Sequence, residues 1–140
     1  MYIEPPRPAT KAPAERFTGD VWVTPIAQPD AQGQRAVVAR VHFSPGSRTA
    51  WHTHPLGQTL PVTAGIARVQ SRGGEIIEAH PGQTIITPPG EEHWHGAAPD
   101  HFMEHLAIVN TAADGSSATG AYPRFVDTGV VYAASASLSV

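Results

Sequence analysis

Apolar and polar residues alternate with a period of two in several short segments of the chain. From Arg35 to Phe43 every second residue is apolar, while Arg40 and His42 occupy the opposite face. Such alternation buries one face of a β-strand and leaves the other towards water. We therefore predict a half-buried strand here. The residues of its apolar face are Val37, Ala39, Val41 and Phe43.

A second strand is predicted from Phe102 to Val109. Both of its faces are largely apolar, as in a strand whose sheet is covered on each side. One face carries a single imidazole, that of His105, among apolar side chains. The residues of that face are Met103, His105, Ala107 and Val109.

Clusters of glycine and proline, which are typical of tight turns, separate the strand-like segments. Short strands with frequent turns indicate an all-β sandwich or barrel. The clusters are Ser44-Pro45-Gly46, Pro55-Leu56-Gly57, Arg72-Gly73-Gly74-Glu75, Pro81-Gly82, Pro88-Pro89-Gly90 and Ala98-Pro99-Asp100.

The composition narrows the class of function. A chain of 140 residues with 41% hydrophobic residues has room for one domain with a modest core. The net charge of -3, with no run of Lys or Arg, excludes the basic surface that nucleic acids require. The absence of cysteine excludes disulfides and thiolate zinc sites. No signal sequence or membrane-spanning apolar stretch is visible, so a cytoplasmic protein is expected.

Three regions are predicted. Residues 1–16 are rich in proline and should form an extended arm, and residues 17–110 should form the barrel. Residues 111–140 form a tail with one strand-like segment, from Phe125 to Ala133. Edge strands left by such a barrel invite pairing between copies, so we expect a homo-oligomer, a dimer or a tetramer.

Four polar residues form a candidate metal site. On a strand, His52 and His54 would project from the same face, and a turn after them would let Gln58 point to the same place. His93 would add a third imidazole from a distant strand. Three imidazoles and an amide oxygen suit Zn²⁺, Fe²⁺, Ni²⁺ or Mn²⁺ and leave two positions open for chemistry. Because all four ligands are neutral, the ion would keep its full charge.

The spacing of these residues resembles the two sequence motifs of the cupin superfamily. This resemblance implies a single-domain cupin fold, a double-stranded β-helix or jelly-roll barrel. Gln58 stands where cupins usually have glutamate, and Ala97 where an asparagine often closes the second motif. The matching patterns are Gly46-x5-His52-x-His54-x3-Gln58-x6-Gly65 and Gly82-x5-Pro88-x-Gly90-x2-His93.

A narrower resemblance covers residues 48–60 and 93–99, which are closely similar to the bacterial cupin hydroxynitrile lyases. The similarity extends from about Phe17 to Val109. It implies manganese as the metal and the reversible cleavage of a cyanohydrin into an aldehyde and cyanide as the reaction. It also implies that the metal ligands are His52, His54, Gln58 and His93.

Two more histidines are candidates for catalysis. If the face of its strand lines the cavity, His105 could take the hydroxyl proton of a cyanohydrin; the alternative is a hydrogen-bonded core histidine. His95 lies on the same strand face as His93. Three positions are open for it: the cavity mouth, behind a metal ligand, or the solvent side. His42, His80 and His101 are expected at the surface. The apolar pocket for a small-molecule substrate is predicted from Ala39, Val41, Leu60, Val62 and Val109.

Two other functions are compatible with the same ligands. A metal-dependent dioxygenase would also use three histidines and two open positions, although Gln58 in place of glutamate disfavours it. A non-catalytic small-molecule or metal-binding cupin is the other alternative, since ligands alone prove only coordination.

Overall fold

The computed structural model describes residues 1–113, and short β-strands make up its regular structure. All six predicted turn clusters lie between consecutive strands. The strands are β1 (Thr10–Lys11), β2 (Phe17–Thr18), β3 (Val21–Ala27), β4 (Ala36–Phe43), β5 (Arg48–Thr49), β6 (Gln58–Gly65), β7 (Ala67–Ser71), β8 (Ile76–Ala79), β9 (Thr84–Thr87), β10 (His93–Ala97) and β11 (Met103–Asn110).

The strands form two antiparallel sheets that enclose one core. The six-stranded sheet has the order β1-β3-β4-β11-β6-β9, and the five-stranded sheet has the order β2-β5-β10-β7-β8. The main apolar cluster draws Val41 and Leu60 from the first sheet and Ala67 and Ala97 from the second. The prediction of an all-β fold is therefore confirmed. None of residues 1–113 belongs to a helix capable of crossing a membrane.

The two strands predicted from alternation are confirmed as β4 and β11. They pair along their whole length, with His105 opposite Val41. In β11 the residues of the inner face are buried, but Leu106 and Ile108 on the outer face are only half-buried. The expectation that both faces of this sheet are covered was therefore too strong.

The segment that carries His52 and His54 differs from the prediction. It was expected to be a strand, yet only His52 makes a bridge, to His93, and the neighbouring residues are irregular. Its turn, at Gly57 with φ of +78°, leads into β6 and Gln58 as expected. The two imidazoles are placed by this single bridge and the turn, not by a strand face.

Residues 10–18, which we call the closing segment, connect the two sheets. β1 pairs with β3 at the edge of the six-stranded sheet, and β2 pairs with β5 at the edge of the five-stranded sheet. The backbone of Ala12 donates a hydrogen bond to Val21 at 2.8 Å. The predicted arm thus contributes a short strand to the sheet. The strand-like segment predicted from Phe125 to Ala133 lies outside the described residues.

Gly65, the last glycine of the predicted first motif, permits a close backbone contact. Its φ of +74° is a conformation that residues with a side chain rarely adopt. A Cβ atom at this position would lie 1.9 Å from the carbonyl oxygen of Phe102, far inside van der Waals contact. The crossing of the β6–β7 turn with the start of β11 therefore requires glycine.

This contact predicts an unequal cost of alanine at two glycines. Gly65→Ala should lower the free energy of unfolding by about 2 kcal/mol or more, because it adds a backbone clash to the strained φ. Gly73→Ala, with φ of +81° and open space around its Cβ, should cost only about 1 kcal/mol. Urea denaturation measures both. Equal losses would show that the contact with Phe102 is unimportant.

Candidate metal centre

Two of the predicted ligand histidines are fastened to each other through their backbones. The amide of His52 donates to the carbonyl of His93, and the amide of His93 donates to the carbonyl of His52, each at 2.9 Å. Their side chains are 3% and 0% exposed, and the ring centroids lie 4.3 Å apart. His52, in the irregular segment, is thereby held against His93, the first residue of β10.

Each of these rings has one nitrogen held by a backbone carbonyl. Nδ1 of His52 lies 2.8 Å from the oxygen of Ala50, and Nδ1 of His93 lies 2.9 Å from the oxygen of Glu91. Because a carbonyl only accepts, Nδ1 carries the hydrogen in both neutral rings and Nε2 carries the lone pair. The backbone therefore sets the tautomer that a metal ligand needs.

Gln58, at the start of β6, turns its amide towards these lone pairs. Its Oε1 lies 3.1 Å from Nε2 of His93. Facing lone pairs repel each other in a dry interior unless a positive charge lies nearby. The donor set therefore fits a bound cation.

The structure brings a further imidazole into this space. Ring nitrogens of His52, His93 and His95 all lie within 4.8 Å of one another. His54, which was predicted to share the ion with His52, is also buried, and its ring centroid lies 5.0 Å from that of His52. Of the four predicted ligands, the structure brings together His52, His93 and Gln58, and His95 takes the place in the group of ring nitrogens that was predicted for His54. His54 stays a predicted ligand.

Burial keeps these imidazoles neutral. Desolvation and then the neighbouring His93 lower the pKa of His54 to about 3. Burial likewise lowers the pKa of His52 and His95 well below the usual range, with nearby imidazoles adding to the effect. Only neutral imidazoles coordinate metals, so the cluster is ready to bind at neutral pH. Within residues 1–113 no carboxylate joins this cluster.

Comparison with known proteins identifies the fold family. The sequence model described as "Cupin domain" matches residues 39–109, about half of the chain. The chain belongs to the cupin family. All the histidines of the buried cluster lie inside the matched residues, and the fold predicted from the two motifs is confirmed.

Individual relatives of this cupin differ in what their names say. A protein named (R)-mandelonitrile lyase, from Granulicella tundricola, is 56% identical over 101 residues, which are 70% of this chain and 74% of that protein. The structure of a cupin-like protein from Thermotoga maritima has a TM-score of 0.69 at 40% identity, covering 71% of this chain and 74% of that one. A predicted oxalate decarboxylase from the same organism has a TM-score of 0.66, covers 73% and 90%, and at 21% identity is similar in fold alone.

His95 and His105 form a second feature of the interior. Nε2 of His105 lies 2.9 Å from Nδ1 of His95, so the two rings share one hydrogen. Both side chains are fully buried, and burial lowers the pKa of His105 to about 4. Because β10 and β11 belong to different sheets, this hydrogen bond crosses the core.

Phe43 and Thr49, which the sequence did not indicate as functional residues, contact this pair. The ring of Phe43 packs against both imidazoles, with centroids 5.9 Å from His95 and 5.3 Å from His105. The hydroxyl of Thr49 accepts a hydrogen bond from the backbone of His95 at 3.2 Å. Phe43 could have been suspected, because it shares the inward face of β4; no signal in the sequence marks Thr49.

The five predicted pocket residues are all buried. Four of them belong to the main apolar cluster, whereas Val109 packs with Val37 in a separate one. Ala39 also borders an open cavity. The remaining histidines, His42, His80 and His101, have about half of their side chains exposed, as expected.

Manganese binding by variants tests the ligand set. We expect His54→Ala and Gln58→Ala to weaken binding at least about tenfold, because each removes a predicted donor, and His95→Ala to weaken it less. Elemental analysis and isothermal titration measure this, with the exposed His80→Ala as control. A loss in His95→Ala as large as that in His54→Ala would contradict the set and make His95 a ligand.

The buried histidines predict an acid-sensitive fold in the metal-free protein. Between the usual pKa of 6.5 and the folded value of about 4 for His105, the unfolded chain binds more protons. The free energy of unfolding should therefore fall from pH 6.5 to 4, by on the order of 1 kcal/mol per pH unit for each such histidine, and stay level above 7. Urea denaturation at several pH values checks this. His105→Asn should reduce the slope, and His80→Gln should not.

Proposed function

We propose that this cupin cleaves cyanohydrins reversibly into an aldehyde and hydrogen cyanide. It would use one divalent ion, in the first place Mn²⁺, with Fe²⁺, Zn²⁺ and Ni²⁺ as alternatives. The observation that carries the proposal is the neutral His95–His105 pair beside the metal-competent cluster, in a chain 56% identical to a protein named (R)-mandelonitrile lyase. The proposed ligands are His52, His54, Gln58 and His93.

The neutral ligand set favours this chemistry. A divalent ion bound there would supply Lewis acidity towards an oxygen or nitrogen atom of the substrate. Because Gln58 contributes no negative charge, the site attracts anions more strongly than one built with glutamate. An alkoxide and a cyanide are the anions that develop when a cyanohydrin breaks.

We assign proton transfer to the imidazole pair. A proton taken up at Nε2 of His95 can pass along the 2.9 Å hydrogen bond to His105, which moves the positive charge one ring away from the reacting atoms. Burial makes both rings weak bases, so the proton is held briefly and returned. The sequence hypothesis, in which His105 takes the proton directly, is modified: His95 is the ring next to the metal cluster.

The reaction balances with this one proton. The hydroxyl group loses its proton to the pair, and the bond between the carbinol carbon and the nitrile carbon breaks. The electron pair of that bond leaves on cyanide, while the oxygen forms the carbonyl group of the aldehyde. The pair then returns the proton to cyanide. No oxidant or reductant is needed.

The walls around the pair suit an apolar substrate. His105 has Val41 opposite it on β4 and Val62 opposite it on β6. Such walls exclude water and strengthen electrostatic effects inside the site.

The cytoplasmic location and the homo-oligomeric state stay predictions.

Mandelonitrile cleavage tests the proposal. The manganese-loaded protein should release benzaldehyde and cyanide faster than the chelator-treated protein. His105→Asn should lower kcat by about a hundredfold, the usual contribution of a proton-transfer group, with unchanged metal content. His80→Gln should behave as wild type. Benzaldehyde absorbance and cyanide release are measured in parallel; no metal-dependent rate above the buffer background would rule the function out.

A further inference from the structure

The turn that follows β7 lies beside two segments that carry proposed metal ligands. One is the irregular segment 51–54 and the other is residues 90–93, and together they supply three of the four proposed ligands. The backbone amide of Arg72, the first residue of the turn, donates to the carbonyl of Glu92 at 2.9 Å. This bond continues the pairing of β7 with β10 and places the Arg72 side chain next to both segments.

The guanidinium group of Arg72 contacts each of the two segments. Its Nε donates to Oε2 of Glu92 at 3.2 Å, and its Nη2 donates to Oε1 of the same carboxylate. Its central carbon, Cζ, lies 4.2 Å from the centroid of the Trp51 ring, which is within the range of a cation–π interaction. One planar cation thus connects the residue before His93 to the residue before His52.

Trp51 depends on this contact more than a buried indole usually does. The residue is 2% exposed, and no acceptor among residues 1–113 pairs with its Nε1. Buried indoles normally have a hydrogen-bond partner that fixes the ring. The ring of Trp51 is instead held by packing and by the cation of Arg72. A shift of the indole would also shift His52, because the two residues are adjacent in the chain.

The charge of Arg72 does not by itself favour a cation site. A guanidinium group and a divalent ion are both positive and repel each other. The carboxylate of Glu92 offsets this charge, and about a third of each side chain is exposed to water, which screens the repulsion. Any benefit of Arg72 to ion binding must therefore come from the positions that it imposes on the two segments.

We propose that Arg72 is a positioning residue of the metal centre and that it holds the segments 51–54 and 90–93 against each other. The inference rests on the proposed function and deepens it, since it assigns a role to a residue outside the two sequence motifs. Arg72 acts through the residues that precede the ligands and is not itself a proposed ligand. Ser71 supports the same arrangement, because its hydroxyl donates to the carboxylate of Glu91.

Manganese binding by two matched variants tests this assignment. Arg72→Met and Arg68→Met each replace a guanidinium group by an unbranched neutral side chain. Arg68 is 32% exposed against 33% for Arg72, and it pairs at 3.6 Å with Glu78 of β8, which carries no proposed ligand. We expect Arg72→Met to raise the Kd for Mn²⁺ about tenfold, and Arg68→Met to change it by less than about twofold. Isothermal titration of the full-length protein measures both.

The direction of the change separates positioning from electrostatics. Both variants remove one positive charge, which by itself would tighten the binding of a divalent cation. Weaker binding in Arg72→Met therefore reports the loss of position. Unchanged or tighter binding in Arg72→Met, or an equal loss in both variants, would overturn the proposal.

Hydrogen exchange in the metal-free protein tests the same role without metal and without activity. The amides of His52 and His93 are protected by their mutual hydrogen bonds, so their exchange reports how often the two segments separate. Arg72→Met should speed exchange at both amides about fivefold or more, while the amides that pair β4 with β11 keep their rates. Unchanged exchange at the bridge, or equal acceleration throughout the barrel, would contradict the role.

The same variants distinguish a failure of this inference from a failure of the proposed function. If no variant cleaves mandelonitrile but Arg72→Met still weakens manganese binding and speeds exchange at the bridge, the positioning role stands and the proposed function fails. If wild type cleaves mandelonitrile and Arg72→Met binds manganese as tightly as Arg68→Met, the function stands and the positioning role fails.

Discussion

The removal of five histidine side chains from water governs the interior of this protein. A buried polar atom without a partner costs about 1–3 kcal/mol, so each ring must find partners inside the barrel. The carbonyls of Ala50 and Glu91 satisfy one nitrogen in each of two rings, and His95 and His105 satisfy one another. Ring nitrogens of His52, His93 and His95 lie within 4.8 Å of one another, and the amide oxygen of Gln58 lies 3.1 Å from Nε2 of His93. The same desolvation that keeps the rings neutral thus creates an affinity for a cation.

The two sheets contribute different parts of this arrangement. β10 of the five-stranded sheet carries His93 and His95, while β6 and β11 of the six-stranded sheet carry Gln58 and His105. The site exists only where the sheets face each other, and the closing segment joins their edges on one side. Binding chemistry and barrel closure therefore depend on the same packing.

Much of the fold was predictable from the sequence, because the alternation of apolar and polar residues with a period of two indicates which face of a strand is buried. It located β4 and β11, and motif spacing gave the predicted ligand set. Alternation does not report depth or cross-strand partners, so it could not place His95 next to His105. Nor could it show that His52 is held by one bridge, since a strand and a bridged loop have the same local spacing. The strand at Thr10–Lys11 depends on an edge of β3 that local sequence does not encode.

The bridge between His52 and His93 uses only main-chain atoms, although both residues are proposed ligands. Their imidazoles can be exchanged for other side chains while the amide and carbonyl groups that position them stay paired. Coordination chemistry and barrel architecture are thereby encoded in separate atoms of the same residues. A lineage built on this frame can change its metal, or abandon metals altogether, by point substitutions that leave the main chain where it is.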